Sequence, residues 1–225
     1  MSAPTIVFDL DGTLVDTAPD LVDTLNVILA REGLPAVSFA AARNMIGGGA
    51  RILIERGLKA DGRPGHAAEI ERLYSDFVSY YGAHLADRSL PFPGAVTALE
   101  RLAVQGCRFA VCTNKLEGLA VRLLDAVGLS PHFAAICGQD TFGLQKPDPE
   151  ILLQTIRKAG GSPARCVMVG DSINDIEVAR AAKVPIIAVD FGYTETPISL
   201  LAPDLVIENF DKLPAAVSRL LGLDK

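Results

Sequence analysis

Short apolar runs alternate with segments of helical period along most of this chain, and that alternation leaves few folds open. Residues 5–9, 107–112, 133–137, 166–169 and 186–189 are apolar runs of strand length. Between the later runs, residues 94–105, 116–127, 150–159 and 173–183 repeat their apolar positions with helical spacing. Boundary residues agree. Pro93 is placed to open the first of these helices, Gly106 and Gly128 to end the first two, and Pro149 sits at an N1 position. Strands separated by helices of this length form a parallel sheet covered on both faces. Residues 205–207 add a sixth strand and 213–221 a closing helix. The expected fold is a doubly wound, Rossmann-like α/β sheet.

One stretch interrupts the alternation. From about residue 17 to residue 88 the chain shows no strand pattern, only helical segments punctuated by Gly and Pro. Residues 18–31 carry Leu21, Leu25, Ile28 and Leu29 on one face, with Thr17 placed as an N-cap and Asp20 three residues on. Residues 39–46 and 50–56 flank the triplet Gly47-Gly48-Gly49, and 67–85 reads as a longer helix. So long a helical run is too much for a connection between strands. The reading is therefore a catalytic core of residues 1–15 and 89–225, with a helical cap of residues 16–88 inserted after the first strand. The hinges fall near Val15-Asp16 and residues 89–93.

In an open parallel sheet, ligands bind at the carboxyl edge, near the point where strand order reverses. The residues that follow each strand are thus the ones to inspect. The first strand ends in Asp9-Leu10-Asp11-Gly12-Thr13 and the second in Thr113-Asn114-Lys115. The third leads through Gly138-Gln139-Asp140 to Gln145-Lys146-Pro147-Asp148, and the fourth ends in Gly170-Asp171-Ser172-Ile173-Asn174-Asp175. Carboxylates, a hydroxyl, an amide and a lysine all fall on one edge. Two like charges about 4 Å apart repel by roughly 4 kcal/mol at an effective dielectric near 20. Asp9, Asp11 and Asp171 converging there call for a cation, and an all-oxygen site without His or Cys selects Mg²⁺ over Zn²⁺.

Composition excludes other classes. Hydrophobic residues make up 49% and charged residues 21% of the chain, as in a folded globular protein. A formal charge of -6 with no basic run argues against nucleic acid. No apolar stretch approaches the roughly 20 residues that cross a bilayer, and Met1-Ser2-Ala3-Pro4 lacks the basic start of a secretory signal. A cytoplasmic protein is expected, monomeric or homodimeric. Cys107, Cys112, Cys137 and Cys166 have no metal or redox spacing and read as reduced thiols, mostly in the core. His66, His84 and His132 are isolated and carry no expected chemistry.

The four strand-end motifs, Asp9-Leu10-Asp11-Gly12-Thr13, Thr113-Asn114, Lys146-Pro147 and Gly170-Asp171 through Asp175, resemble those of the haloacid dehalogenase superfamily, in order and over nearly the full length. The first is highly specific; each of the others is weak alone. The closest likeness is to the phosphatase branch with a helical cap. Val15-Asp16-Thr17 and Ile46-Gly47-Gly48-Gly49-Ala50 resemble the phosphoglycolate phosphatases within it. The resemblance implies a Mg²⁺-dependent phosphomonoesterase acting on a small anionic phosphoester, foremost 2-phosphoglycolate. Asp9 is then the nucleophile that becomes an aspartyl phosphate, and Asp11 the acid that protonates the leaving alkoxide and later activates water. Mg²⁺ is held by Asp9, the Asp11 backbone carbonyl and Asp171, with Asp175 acting through water or Lys146. Thr113, Asn114 and Lys146 cradle the phosphoryl group, whereas Lys115 reads as a solvated side chain.

Substrate choice is expected in the cap. Gly47-Gly48-Gly49 brings backbone N–H groups to the start of the next helix, which suits a small carboxylate, with Gly48 and Arg51 as its contacts. Other readings remain at this stage: a sugar-phosphate phosphatase, a β-phosphoglucomutase-like phosphomutase, a pyrophosphatase, or a phosphate-binding protein without catalysis. A dehalogenase does not need Asp11, and a receiver domain would be about half as long, without a cap.

Overall fold

A computed structural model describes residues 3–194 and 196–223. In chain order the elements are β1 (Thr5–Phe8), β2 (Val15–Asp16), α1 (Ala18–Arg31), α2 (Phe39–Arg43), α3 (Ala50–Ala60), α4 (Ala67–Ala83), β3 (Leu90–Pro91) and α5 (Ala95–Val104). They continue as β4 (Arg108–Cys112), α6 (Glu117–Ala126), β5 (Phe133–Cys137), α7 (Pro149–Lys158), β6 (Cys166–Gly170), α8 (Ile173–Ala181), β7 (Ile186–Val189), β8 (Leu205–Ile207) and α9 (Leu213–Leu221).

Six strands pair in the order β5-β4-β1-β6-β7-β8, every pair parallel. Starting from β1, the chain builds outward through β4 and β5, then returns to build β6, β7 and β8 on the other side. The reversal therefore flanks β1, and the crevice it opens lies at the carboxyl end of that strand. Side chains alternate across the sheet: Ile6 and Phe8 pack into one core layer and Val7 into the other. The first layer continues into the helical insertion through Leu21, Leu25, Leu53 and Phe77, and the second holds Cys112, Cys137, Cys166 and Met168. All four cysteines are free thiols, and burial pushes the Cys112 thiol up to about 12, which leaves it an inert core residue. Among the described residues no helix is long and apolar enough to cross a membrane.

Helices α1–α4 lie between two short strands that sequence patterning does not reveal. β2 and β3 pair antiparallel, Val15 opposite Pro91 and Asp16 opposite Leu90, and so tie the two connections together. Two residues are too few to carry an alternation. The expected cap of α1 by Thr17 is replaced by a different arrangement. The Thr17 side chain makes no capping hydrogen bond. Asp20 instead accepts from the Arg88 and Ser89 backbone N–H groups (3.0 and 2.8 Å) and from the Ser89 hydroxyl (2.5 Å), fastening α1 to the returning chain. A charged acceptor with three donors is a stronger use of that carboxylate than a reciprocal cap.

Candidate active site

Asp9 leaves β1 with its backbone N–H still on the Val169 carbonyl (2.9 Å), so the sheet ladder holds it rigidly. The chain then turns tightly, with the N–H groups of Leu14 and Val15 both donating to the Leu10 carbonyl. Gly12 makes that turn possible. Its φ is +84°, and a Cβ there would lie 2.5 Å from Asp171 Oδ2. The turn places Thr13 under the end of β6, where its hydroxyl donates to Asp171 Oδ1 (2.8 Å) while the Tyr193 N–H donates to Oδ2 (2.8 Å). Thr13, expected only to turn the chain, thus orients a carboxylate 158 residues away. Tyr193 was not expected at all. It follows β7, another strand end on the same edge, and so carries the same positional signal as Asp171.

Asp9, Asp171 and Asp175 converge, each with a carboxylate oxygen within 4.8 Å of the others. Lys146 lies among them, its Nζ 2.6 Å from Asp175 Oδ1 and 2.8 Å from Asp9 Oδ1. The directed hydrogen bond goes to Asp175, so Asp9 Oδ1 is buried without a hydrogen-bond partner among the described residues. Asp175 is the more fully used carboxylate. Its other oxygen accepts from the Ser172 N–H and hydroxyl in a capping box that starts α8. Burial, reinforced by Asp175 and Asp171 and partly offset by Lys146, pushes the Asp9 carboxyl up to about 8. Burial and Asp175 push Asp171 up to about 7, against the pull of the Tyr193 N–H and the Thr13 hydroxyl. Three clustered carboxylates that offer oxygen ligands alone, with no His or Cys among them, fit a hard divalent cation.

Asn114 serves Lys146 directly. Its Nδ2 donates to the Lys146 carbonyl (3.1 Å) and its Oδ1 accepts from the Lys146 N–H (2.7 Å). The amide thus clamps the loop that presents the lysine, whose bond to Pro147 is cis. Thr113 shares the cavity wall, its Oγ1 accepting from the Lys115 N–H (3.2 Å).

Three expectations change here. Lys115 is not solvated: its side chain is 6% exposed, and its Nζ lies 2.8 and 2.9 Å from the two Asp11 carboxylate oxygens. The β4 end and the β1 end lie side by side, so a residue next to Asn114 in sequence faces Asp11 in space. Arg51, by contrast, is not in the cavity wall. It makes a two-pronged contact with Glu71 (2.6 and 3.0 Å) and stacks over the Tyr74 ring at 3.6 Å. Gly48 is not in the wall either, where Gly47, Gly49 and Ala50 contribute. The Gly47 carbonyl accepts from Asn174 Nδ2 (3.0 Å), joining insertion to core. The insertion's share of the wall is otherwise Leu21, Ile46, Leu53, Phe77 and Val78, with two tyrosines, Tyr74 and Tyr81.

The geometry can be set beside known proteins. The family model for haloacid dehalogenase-like hydrolases matches residues 3–183. A phosphoglycolate phosphatase of Mesorhizobium japonicum is 48% identical over 221 residues, covering 98% of this chain and 97% of its own. One from Caulobacter vibrioides is 49% identical, covering 98% of this chain and 93% of its own. The crystal structure of a predicted phosphoglycolate phosphatase from Haemophilus somnus 129PT superposes with a TM-score of 0.87 at 31% identity, over 96% of this chain and 98% of that one. A match that runs through both halves of the sheet and the helices inserted between them makes this chain a member of the haloacid dehalogenase-like hydrolase family.

Proposed function

We propose that this phosphatase hydrolyses 2-phosphoglycolate to glycolate and phosphate through an aspartyl phosphate on Asp9, with residues 16–88 acting as a cap. The observation that carries the chemistry is Asp9 itself. Its backbone is fixed by the sheet, its buried Oδ1 meets the Lys146 ammonium at 2.8 Å without a well-directed hydrogen bond, and it faces a cavity that Lys146, Thr113 and Asp11 also line. The Asp9 oxygen attacks phosphorus in line, the ester P–O bond breaks, and Asp11 gives its proton to the departing glycolate oxygen. Asp11 then takes a proton from water as that water attacks phosphorus, releasing phosphate and restoring Asp9. Lys146 and the Thr113 hydroxyl stabilise the charge gathered on the transferring oxygens. Asn114 and Asp175 hold Lys146 in place.

The Asp9 and Asp171 carboxylates with the Asp11 carbonyl are the donors offered to Mg²⁺, which when bound offsets repulsion between Asp9 and the incoming phosphate. The raised carboxyls give this assignment a readout independent of turnover. In the folded chain Asp9 and Asp171 keep protons that the unfolded chain, with carboxyls near 3.8, has already released. The folded state then binds more protons, so stability falls as pH rises between those values. The thermal midpoint in EDTA should decline from about pH 5 to about pH 8, and Mg²⁺ should raise it more at the upper end. Asp171→Asn should flatten the decline. A midpoint that rises with pH in EDTA, or an equal Mg²⁺ effect at both ends, would contradict the assignment.

The substrate is supported by two relatives of nearly half identity and full coverage that bear the name phosphoglycolate phosphatase. The wall supports it too. The insertion offers mainly apolar side chains, with no array of carboxamides or charges to receive sugar hydroxyls. Phosphate release from 2-phosphoglycolate, hexose phosphates and pyrophosphate, each with and without EDTA, tests the reading. The highest kcat/KM is expected for 2-phosphoglycolate, and EDTA should abolish release. A hexose phosphate or pyrophosphate turned over more efficiently would overturn the substrate assignment while leaving the chemistry intact.

A further inference from the structure

The cavity contains a cation and a hydroxyl that the hydrolytic steps leave unused. Lys115 and Lys146 are the two lysines in its wall, and Lys146 is committed to Asp9 and Asp175. Lys115 is paired with Asp11 and reaches the insertion, with its Nζ 4.6 Å from the centre of the Tyr81 ring. An ammonium group has three N–H donors, and the two Asp11 oxygens take at most two of them. Tyr81, on α4, is 1% exposed and lines the cavity; its hydroxyl lies beside Lys115 but makes no well-directed hydrogen bond among the described residues. A buried hydroxyl left without a good hydrogen bond is unfavourable, so one that lines a binding cavity is explained if a ligand completes it.

We propose that the Lys115 ammonium and the Tyr81 hydroxyl together receive the carboxylate of the substrate's leaving group, and so select phosphorylated 2-hydroxy acids over uncharged phosphoesters. The inference rests on the phosphoglycolate reading and moves its specificity from Gly48 and Arg51, which are not in the cavity wall, to Lys115 and Tyr81, which are. Position favours it. In 2-phosphoglycolate one carbon separates the ester oxygen from the carboxylate. Asp11 must reach the ester oxygen to protonate it, and Lys115 is the cation in direct contact with Asp11. A carboxylate on the leaving group is thereby brought to Lys115, while a methyl group in the same place leaves the lysine and Tyr81 without a new partner. The neighbouring wall, Leu116, Leu119, Phe77 and Val78, is apolar and strengthens a charge-assisted contact by excluding water.

Ethyl phosphate, which replaces the carboxylate by a methyl group, is the probe to compare with 2-phosphoglycolate. The ratio of kcat/KM for the two esters is measured with Mg²⁺ in the parent protein, Lys115→Met, Lys115→Arg and Tyr81→Phe. The ratio should fall by tenfold or more in Lys115→Met, recover in part in Lys115→Arg, and fall several-fold in Tyr81→Phe. Tyr81→Phe removes an oxygen with no well-directed hydrogen bond, so its thermal midpoint should change little, and it keeps the test alive if Lys115→Met folds poorly. If Lys115 serves only to hold Asp11, both esters lose the same factor and the ratio stays put, which overturns the proposal. A parent protein with no preference for 2-phosphoglycolate over ethyl phosphate would overturn the substrate reading itself, before any variant is considered.

Discussion

Asp9→Asn should eliminate phosphate release, by on the order of 10⁴-fold or more, while leaving the fold as stable as before or more so. The substitution keeps size and shape and removes only the negative oxygen that attacks phosphorus. The neighbouring carboxylates are otherwise engaged, Asp171 by the Thr13 hydroxyl and the Tyr193 N–H. Asp11 is paired with Lys115, and Asp175 is fully engaged by Lys146 and Ser172. Stability follows from the same burial that makes Asp9 hard to ionise. A group whose carboxyl is raised in the folded state opposes folding at neutral pH, where the unfolded chain has ionised it, and an amide carries no such penalty. Lys146 keeps its Asp175 partner in the variant. Activity assays beside thermal melts at about pH 7.5 measure both effects. A variant that loses activity because it unfolds would show that Asp9 holds the structure, against this account.

Lys146→Met should damage both properties. Lys146 is 3% exposed and stands between two buried carboxylates. Methionine fills the volume but leaves Asp9 and Asp175 facing each other without a cation. Removing one partner of a buried ion pair costs about 3–5 kcal/mol, or roughly 6–20 °C in a chain of this length. Loss of a charge aimed at the transferring phosphoryl group should lower kcat by about 10²–10³-fold. Pairing the change with Asp175→Asn separates the two effects. The double variant should regain part of the midpoint, because one stranded carboxylate is gone, and none of the activity. Equal recovery of both would mean that Lys146 acts only by holding the fold together.

What could be read from the chain divides along a physical line. Asp9, Lys146 and Asp171 are legible because each follows a strand, and parallel strands bring their carboxyl ends to one edge whatever the helices do. Helices α1 and α9 are legible to the residue, since apolar period and terminal Pro or Gly are local properties. The contacts of Lys115, Thr13, Tyr81 and Tyr193 are not local. Lys115 meets Asp11 across 104 residues and the Tyr193 hydroxyl meets Asp16 across 177, so no spacing rule announces them. Asn114 shows a subtler limit. Its place beside the site was legible, but whether its amide faces a ligand or the Lys146 backbone depends on where a second loop comes to rest. Arg51 was placed by the glycine triplet before it, whereas Glu71 and Tyr74 on α4 determine where it points.

The central claim is that Asp9 becomes covalently phosphorylated, and trapping that species tests it most directly. Protein turning over 2-phosphoglycolate with Mg²⁺ is treated with borohydride, which reduces an acyl phosphate to an alcohol, and the peptide spanning residues 5–15 is sequenced by mass spectrometry. The account predicts homoserine at position 9, with nothing trapped without substrate or in Asp9→Asn. Unmodified Asp9 during active turnover, or reduction at Asp11 instead, would contradict it.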